Sequence, residues 1–128
     1  MPVRSPLLGL QKGLYTLLSA HMTVYDAVPQ DTSFPYVTIG EATAIEWCTK
    51  TGDGTEATVT VHTWSRYPGR KECLTLMDTV LQKITETPVT FAGFAVVTVE
   101  MELMEIIEEP DGITRHGVQK FRFRIEEA

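Results

Sequence analysis

Three histidines, two cysteines and a run of carboxylates are the residues of this chain with chemistry to offer. His21, His62 and His116 fall at a predicted helix end, in a predicted strand and in a predicted hairpin arm. No two of them have the i, i+4 spacing that puts two metal ligands on one helix face. His62 and His116 meet only if folding happens to bring them together, so the spacing predicts surface or interface histidines and no metal centre. Glu100, Glu102, Glu105, Glu108, Glu109 and Asp111 form an acidic run. Two carboxylates on one strand face can divide acid and base roles. Here Lys120, Arg122 and Arg124 occur where a returning strand would face them, which predicts a cross-strand charge ladder instead. Cys73 follows Arg70 and Lys71 near a predicted helix start, a setting that lowers a thiol pKa. It also lies on the apolar stripe of that helix, which predicts a buried structural thiol. Cys48 and Cys73 have no neighbouring cysteine and read as reduced thiols, a disulfide between them being the alternative. There is no Gly-rich phosphate loop, GxSxG, HExxH or CxxC. The sequence therefore predicts no catalytic residue, no metal ligand and no cofactor.

One segment combines aromatic and basic side chains: Trp64-Ser65-Arg66-Tyr67-Pro68-Gly69-Arg70-Lys71. Taken alone it suits a phosphate backbone or a nucleic-acid strand. The whole chain argues otherwise, since 17 acids against 11 bases leave a formal charge of −6. Phosphate affinity comes from Lys and Arg. A loop that meets a protein partner fits better, because Trp, Tyr and Arg are the usual interface anchors. With 43% apolar and 22% charged residues the 128-residue chain has globular composition. Two halves of this length would each have a marginal core, so one domain is expected across residues 1–128. No stretch approaches the roughly 20 apolar residues of a membrane span, and the N-terminus has no apolar run with a cleavage site.

These residues need elements to hold them. Ser5-Pro6 reads as a helix start, followed by Leu7, Leu10, Leu14, Leu17 and Leu18 at spacings of three and four, a helix over about 6–20. Pro29 and Pro35 make the next segment extended or looped, with Val24-Tyr25 a short strand. Tyr36 to Gly40 starts a strand that continues weakly through Ile45 and Trp47. Gly52-Asp53-Gly54 marks the centre of a hairpin turn, and Ala57 to Trp64 is the return strand. It places Ala57, Val59, Val61 and Thr63 on one face and Thr58, Thr60, His62 and Trp64 on the other. A second helix spans about 69–86, with Cys73, Leu76, Met77, Val80, Leu81 and Ile84 on one side and Pro88 stopping it. Val89 to Phe91 leads through an Ala92-Gly93 turn into a final hairpin.

That hairpin has a register that can be derived. Antiparallel partners point to one face. Pairing Val99 with Phe123 and Met101 with Phe121 keeps the apolar faces together, and pairs Glu100 with Arg122 and Glu102 with Lys120. A two-residue turn at Asp111-Gly112 is one residue out of phase with this register. Either the tip has an odd-numbered loop or a strand carries a bulge, which the broken alternation at Met104-Glu105-Ile106-Ile107 places there. The expected fold is α+β, a mostly antiparallel sheet with two helices packed on one face.

Several stretches carry a resemblance. Val24-Tyr25-Asp26-Ala27-Val28-Pro29-Gln30 and Phe34-Pro35-Tyr36-Val37-Thr38-Ile39-Gly40 resemble the minor tail-completion, or tail-terminator, family of long-tailed bacteriophages, prophages and gene transfer agents. Thr49-Lys50-Thr51-Gly52-Asp53-Gly54, His62-Thr63-Trp64-Ser65-Arg66, Pro68-Gly69-Arg70-Lys71-Glu72 and Pro110-Asp111-Gly112-Ile113-Thr114-Arg115-His116-Gly117 follow in the family's order, as does Leu10-Gln11-Lys12-Gly13-Leu14-Tyr15. The link between Ala20 and Val24 is shorter than in many members. The resemblance implies a non-enzymatic virion tail protein assembled in the host cytoplasm. Such a protein forms a ring, commonly a hexamer, on the head-proximal end of the tail tube. Its implied partners are further copies of itself, the major tail tube protein and the head–neck connector. DNA passes through without specific binding, and no membrane is involved. A ring interface needs two different complementary patches. The candidates are Trp47, Lys50 and Asp53 on the first hairpin, and Trp64, Arg66, Tyr67 and Arg70 around the loop, with Arg115 and His116. Glu100, Glu102, Lys120, Arg122 and Arg124 form a candidate charged sheet face. The alternative is a small cytosolic α+β ligand-binding module or enzyme, which a pocket gathering His62, His116 and a carboxylate would favour.

Overall fold

The computed structural model of the chain describes residues 5–49, 52–87 and 89–127. In chain order the elements are α1 (Leu7–Ser19), β1 (Val24–Tyr25), β2 (Tyr36–Thr49), β3 (Gly52–Ser65), α2 (Lys71–Glu86), β4 (Phe94–Glu108) and β5 (Arg115–Glu127). The strands form one sheet in the order β1-β2-β3-β5-β4. Only β1 and β2 run parallel, and the other neighbours are antiparallel. This is the expected α+β arrangement, with both helices on one face.

Periodicity explains the core. Leu10, Leu14 and Leu18 of α1 and Val80 and Ile84 of α2 meet Val37, Ile39, Ala57, Val59, Val61, Phe121, Phe123 and Ile125 of the sheet in one buried cluster. Each strand residue belongs to the same face of its strand, as period-two alternation requires. The Ser5 hydroxyl accepts the Leu7 N–H at 3.2 Å, which supplies the start signal of α1. Cys73 and Met77 extend the core along α2. Burial pushes the Cys73 thiol pKa up, so its basic neighbours do not make it a thiolate. Cys48 carries no described side chain. Gln119 is fully buried on the same face, where its amide N–H donates to the Met77 carbonyl at 2.9 Å.

The first hairpin differs from the sequence reading. Thr49 pairs with Gly52, Cys48 with Asp53 and Trp47 with Gly54, so the three residues assigned to the turn lie in β3. Lys50 and Thr51 lie outside the described residues. Gly54 is a glycine for another reason. A β-carbon there would stand 2.6 Å from the Trp47 ring. Glycine marks close approach here and not a turn. Pro88, assigned as the stop of α2, also lies outside the described residues, and the helix ends at Glu86.

The second hairpin keeps the derived pairs Val99 with Phe123, Met101 with Phe121 and Glu100 with Arg122. Its bulge is displaced. The register shifts between Met101 and Leu103, so Glu102 is the extra residue and Leu103, not Glu102, pairs with Lys120. Beyond it the strands stay in the phase set by the tip, where the Glu109 N–H donates to the Thr114 carbonyl. The four residues between are even in number, so a bulge was required. The alternation cue was misread because Met104 and Ile106 take the helix side after the shift. A second shift frees Val97 from the ladder.

Candidate functional site on the open face of the sheet

Neither helix covers the other face of the sheet, and the side chains that alternate away from the core gather there. At one end stand Tyr36, Thr38, His62, Trp64 and His116, brought together by the pairing of Tyr36 with Trp64 and of Trp64 with His116. The Trp64 indole stacks on His116 with centroids 3.8 Å apart, and its N–H donates to the Thr38 hydroxyl at 3.3 Å. Tyr36 adds a ring between Trp64 and Tyr25. Burial raises the Tyr36 pKa.

The two histidines meet, contrary to the expectation from spacing. His62 Nδ1 lies 2.6 Å from His116 Nε2. His62 Nε2 is 3.1 Å from a Glu41 oxygen, and His116 Nδ1 is 2.8 Å from Glu109 Oε1. The result is a carboxylate–imidazole–imidazole–carboxylate relay. It joins the β2 bulge, β3, β5 and the start of the second hairpin tip. Gly40, beside Glu41 in that bulge, leaves the room that the His62 ring occupies. Three contacts need three hydrogens, and two neutral imidazoles supply two. Burial is the main cause that lowers the His116 pKa, opposed by the Glu109 hydrogen bond. The histidines and Glu41 border a cleft of about 480 Å³ also lined by Asp26, Tyr36 and Trp64. Among the described residues no group of His, Cys, Asp and Glu is arranged to hold a metal ion.

Below this end the face is ionic. Arg122 reaches Glu100 at 3.7 Å, Glu56 at 3.6 Å and also Glu102. Arg124 reaches Glu56 at 3.2 Å and Glu100 at 3.9 Å, and lies 5.7 Å from the Trp47 ring centre. Lys120 reaches Glu102 at 3.9 Å. The five charged residues assigned to this face thus come together, with Glu56 of β3 as an unassigned sixth.

The remaining assigned residues are dispersed. Arg66 stacks over Phe34 at 4.3 Å and donates to the Thr114 hydroxyl at 3.1 Å, tying the β3–α2 loop to the hairpin tip. Arg115 is engaged by Glu108 at 3.3 Å and by the Ile113 carbonyl. Tyr67 and Arg70 are exposed. Trp47 is half-buried on the far hairpin, Lys50 lies outside the described residues, and the Asp53 side chain is likewise outside them. At the tip, Asp111 accepts the Ile113 and Thr114 N–H groups, each at 2.8 Å, and the Thr114 hydroxyl. These bonds hold its pKa at about 2.

Glu41, Glu109, Tyr36 and Glu56 are the site residues that sequence reasoning missed. Glu41 meets His62 across 21 positions, which no local spacing reports, whereas Glu109, a member of the acidic run, reaches His116 only seven residues away across the hairpin tip. Glu56 carried a usable signal, since it alternates with Ala57 onto the polar face of β3.

Residues 7–126 match the model of a family described as tail completion protein gp17. The chain belongs to that family. It is 32% identical over 124 residues to the tail completion protein gp17 of Bacillus phage SPP1, covering 91% of this chain and 92% of that protein. The solved structure of bacteriophage SPP1 gp17 superposes with a TM-score of 0.62 at 31% identity, over 91% of this chain and 90% of that one. A chain in the virion of a native gene transfer agent particle shares the fold, with a TM-score of 0.80 at 21% identity, over 91% and 94% of the two chains. Family membership makes the chain a structural component of a virion tail and not an enzyme. The histidine relay is therefore read as part of a structural surface, although it has the composition that would have favoured the enzymatic alternative.

Proposed function

We propose that this chain, acting as one domain, forms a ring on the head-proximal end of the tail tube. The ring stops tube growth and presents the surface to which the head–neck connector docks. Membership of the tail completion family over residues 7–126 carries this reading. The open sheet face supports it, because its aromatic cluster and its arginines are residue types enriched at protein interfaces. A ring requires two unlike patches on each copy. Trp47 and Asp53, with Lys50, form one candidate patch in this reading. Trp64, Arg66, Tyr67, Arg70, Arg115 and His116 form the other, and Glu100, Glu102, Lys120, Arg122 and Arg124 form a charged face beside them. The acidic balance of the chain suits a channel through which DNA passes, since like charge suppresses phosphate contacts. Six copies is the stoichiometry proposed.

Electron microscopy of the purified chain mixed with growing tail tubes tests the reading. Rings at one tube end and a halt in growth are expected. Tubes that lengthen unchecked would refute termination, and a lumen lined by Lys and Arg would refute the channel argument.

A further inference from the structure

The two edges of the sheet are long, and beyond the bulges at Glu102 in β4 and at Gly40–Glu41 in β2 each runs on without lysine or proline. β4 is the last strand on one side, and its 15 residues include no Lys, Arg, Pro or Gly. Native edge strands are usually short, or are protected by lysine or proline. On the other side β1 covers β2 only at Val37 and Thr38. The stretch from Ala42 to Ile45, paired with β3 on its inner side, has no strand on its outer side among the described residues. Exposed apolar side chains sit on both edges of the open face. Ile45 of β2 is 61% exposed, and Leu103 and Ile107 of β4 are each 42% exposed. On the helix face the same edges carry exposed Ala42 and Ala44 on β2 and half-buried Met104 and Ile106 on β4.

We propose that β4 of one copy pairs with the free edge of β2 in the next, so that the sheet runs on from subunit to subunit. The inference rests on the ring reading and specifies how its subunits join. Strand direction supports it. β2 and β5 point the same way, and β4 points the opposite way. Rotation about an axis running along the strands preserves these senses, so β4 meets the neighbouring β2 antiparallel, the stronger ladder. The contact is heterologous and can close into a ring, whereas two β4 edges would meet as a closed two-fold pair. Joining the edges brings Leu103 and Ile107 beside Ile45, and Met104 and Ile106 beside the small Ala42 and Ala44. Most acids on these edges are engaged within one copy: Glu100 and Glu102 by arginines, Glu108 by Arg115 and Glu41 by His62, while Glu105 stands exposed between Leu103 and Ile107.

The test uses the full chain in a Cys48→Ser background, assembled on tail tubes and oxidised. Leu103→Cys or Ile107→Cys is combined with Thr43→Cys or Ile45→Cys, four pairs that sample the registers available on the open face. At least one pair should give a ladder of covalent multimers on a non-reducing gel, while each single variant stops at dimers. Ile45→Lys and Ile107→Lys, at exposed positions, should abolish rings while leaving the circular dichroism spectrum and melting temperature of the unassembled chain unchanged. Rings that form on tubes without any ladder, or that form from the lysine variants as from the unaltered chain, would overturn edge pairing and leave the ring reading standing. Absence of rings from the unaltered chain would overturn both.

Discussion

On the helix side, β3 and β5 present Ala57, Val59, Phe121 and Phe123, while on the other side the same strands, one residue out of step, present Thr58, Thr60, Lys120 and Arg122. The first set is stabilised by removal of apolar area from water, worth about 25 cal/mol per Å². The second gains little from burial and holds its geometry by mutual hydrogen bonds and ion pairs. Exposed pairs of that kind contribute roughly 0–1 kcal/mol each. The difference separates two tasks within one sheet. The covered face stabilises the fold, and the open face can be rebuilt for partners at small cost in stability.

The comparison can be broken most severely from the covered side. Phe121→Ala leaves a cavity beneath both helices and should cost about 3–5 kcal/mol in chemical denaturation. A loss below about 1 kcal/mol would mean that the helices do not pack on this face as described. An intermediate effect is expected from pH at the relay. The folded chain holds His116 below its ordinary pKa of 6.5, so the unfolded chain binds more protons in that range. Stability should therefore fall as pH drops through about 6.5 towards the lowered folded value, and His116→Gln should flatten this slope in thermal melts from pH 7.5 to 5. A profile unchanged by the substitution would remove the relay from the stability argument. The smallest effect belongs to the ionic rows. Arg122→Ala should shift the denaturation midpoint only slightly, and by less at high salt. A large, salt-insensitive shift would show that the open face is also a core.

Legibility in the sequence follows the same division. Helices with a repeated apolar stripe, such as Leu10, Leu14 and Leu18, were plain because 3.6-residue periodicity is a local property. The register of Val99, Met101, Phe121 and Phe123 was also plain, since one face had to be apolar. Glycine was ambiguous: Gly54 reads as a turn by type, yet its role is set by the Trp47 ring that arrives from another strand. The ionic rows were legible except for Glu56, because opposite charges recur on paired strands. The His62–His116 contact was not, since the residues are 54 positions apart and meet through two strand pairings and a bulge. Family resemblance, and not spacing, identified the role of the chain.

The bulge at Glu102 also sets how the length of this chain can change. Met101 and Leu103 face consecutive residues of β5, so losing Glu102 would straighten the strand and leave every other side chain of the hairpin on its present face. Losing one residue between Leu103 and Glu108 would instead take Met104 or Ile106 off the helix side. Single-residue gaps among relatives should therefore collect at this one step of β4, and the six residues after it should align without interruption.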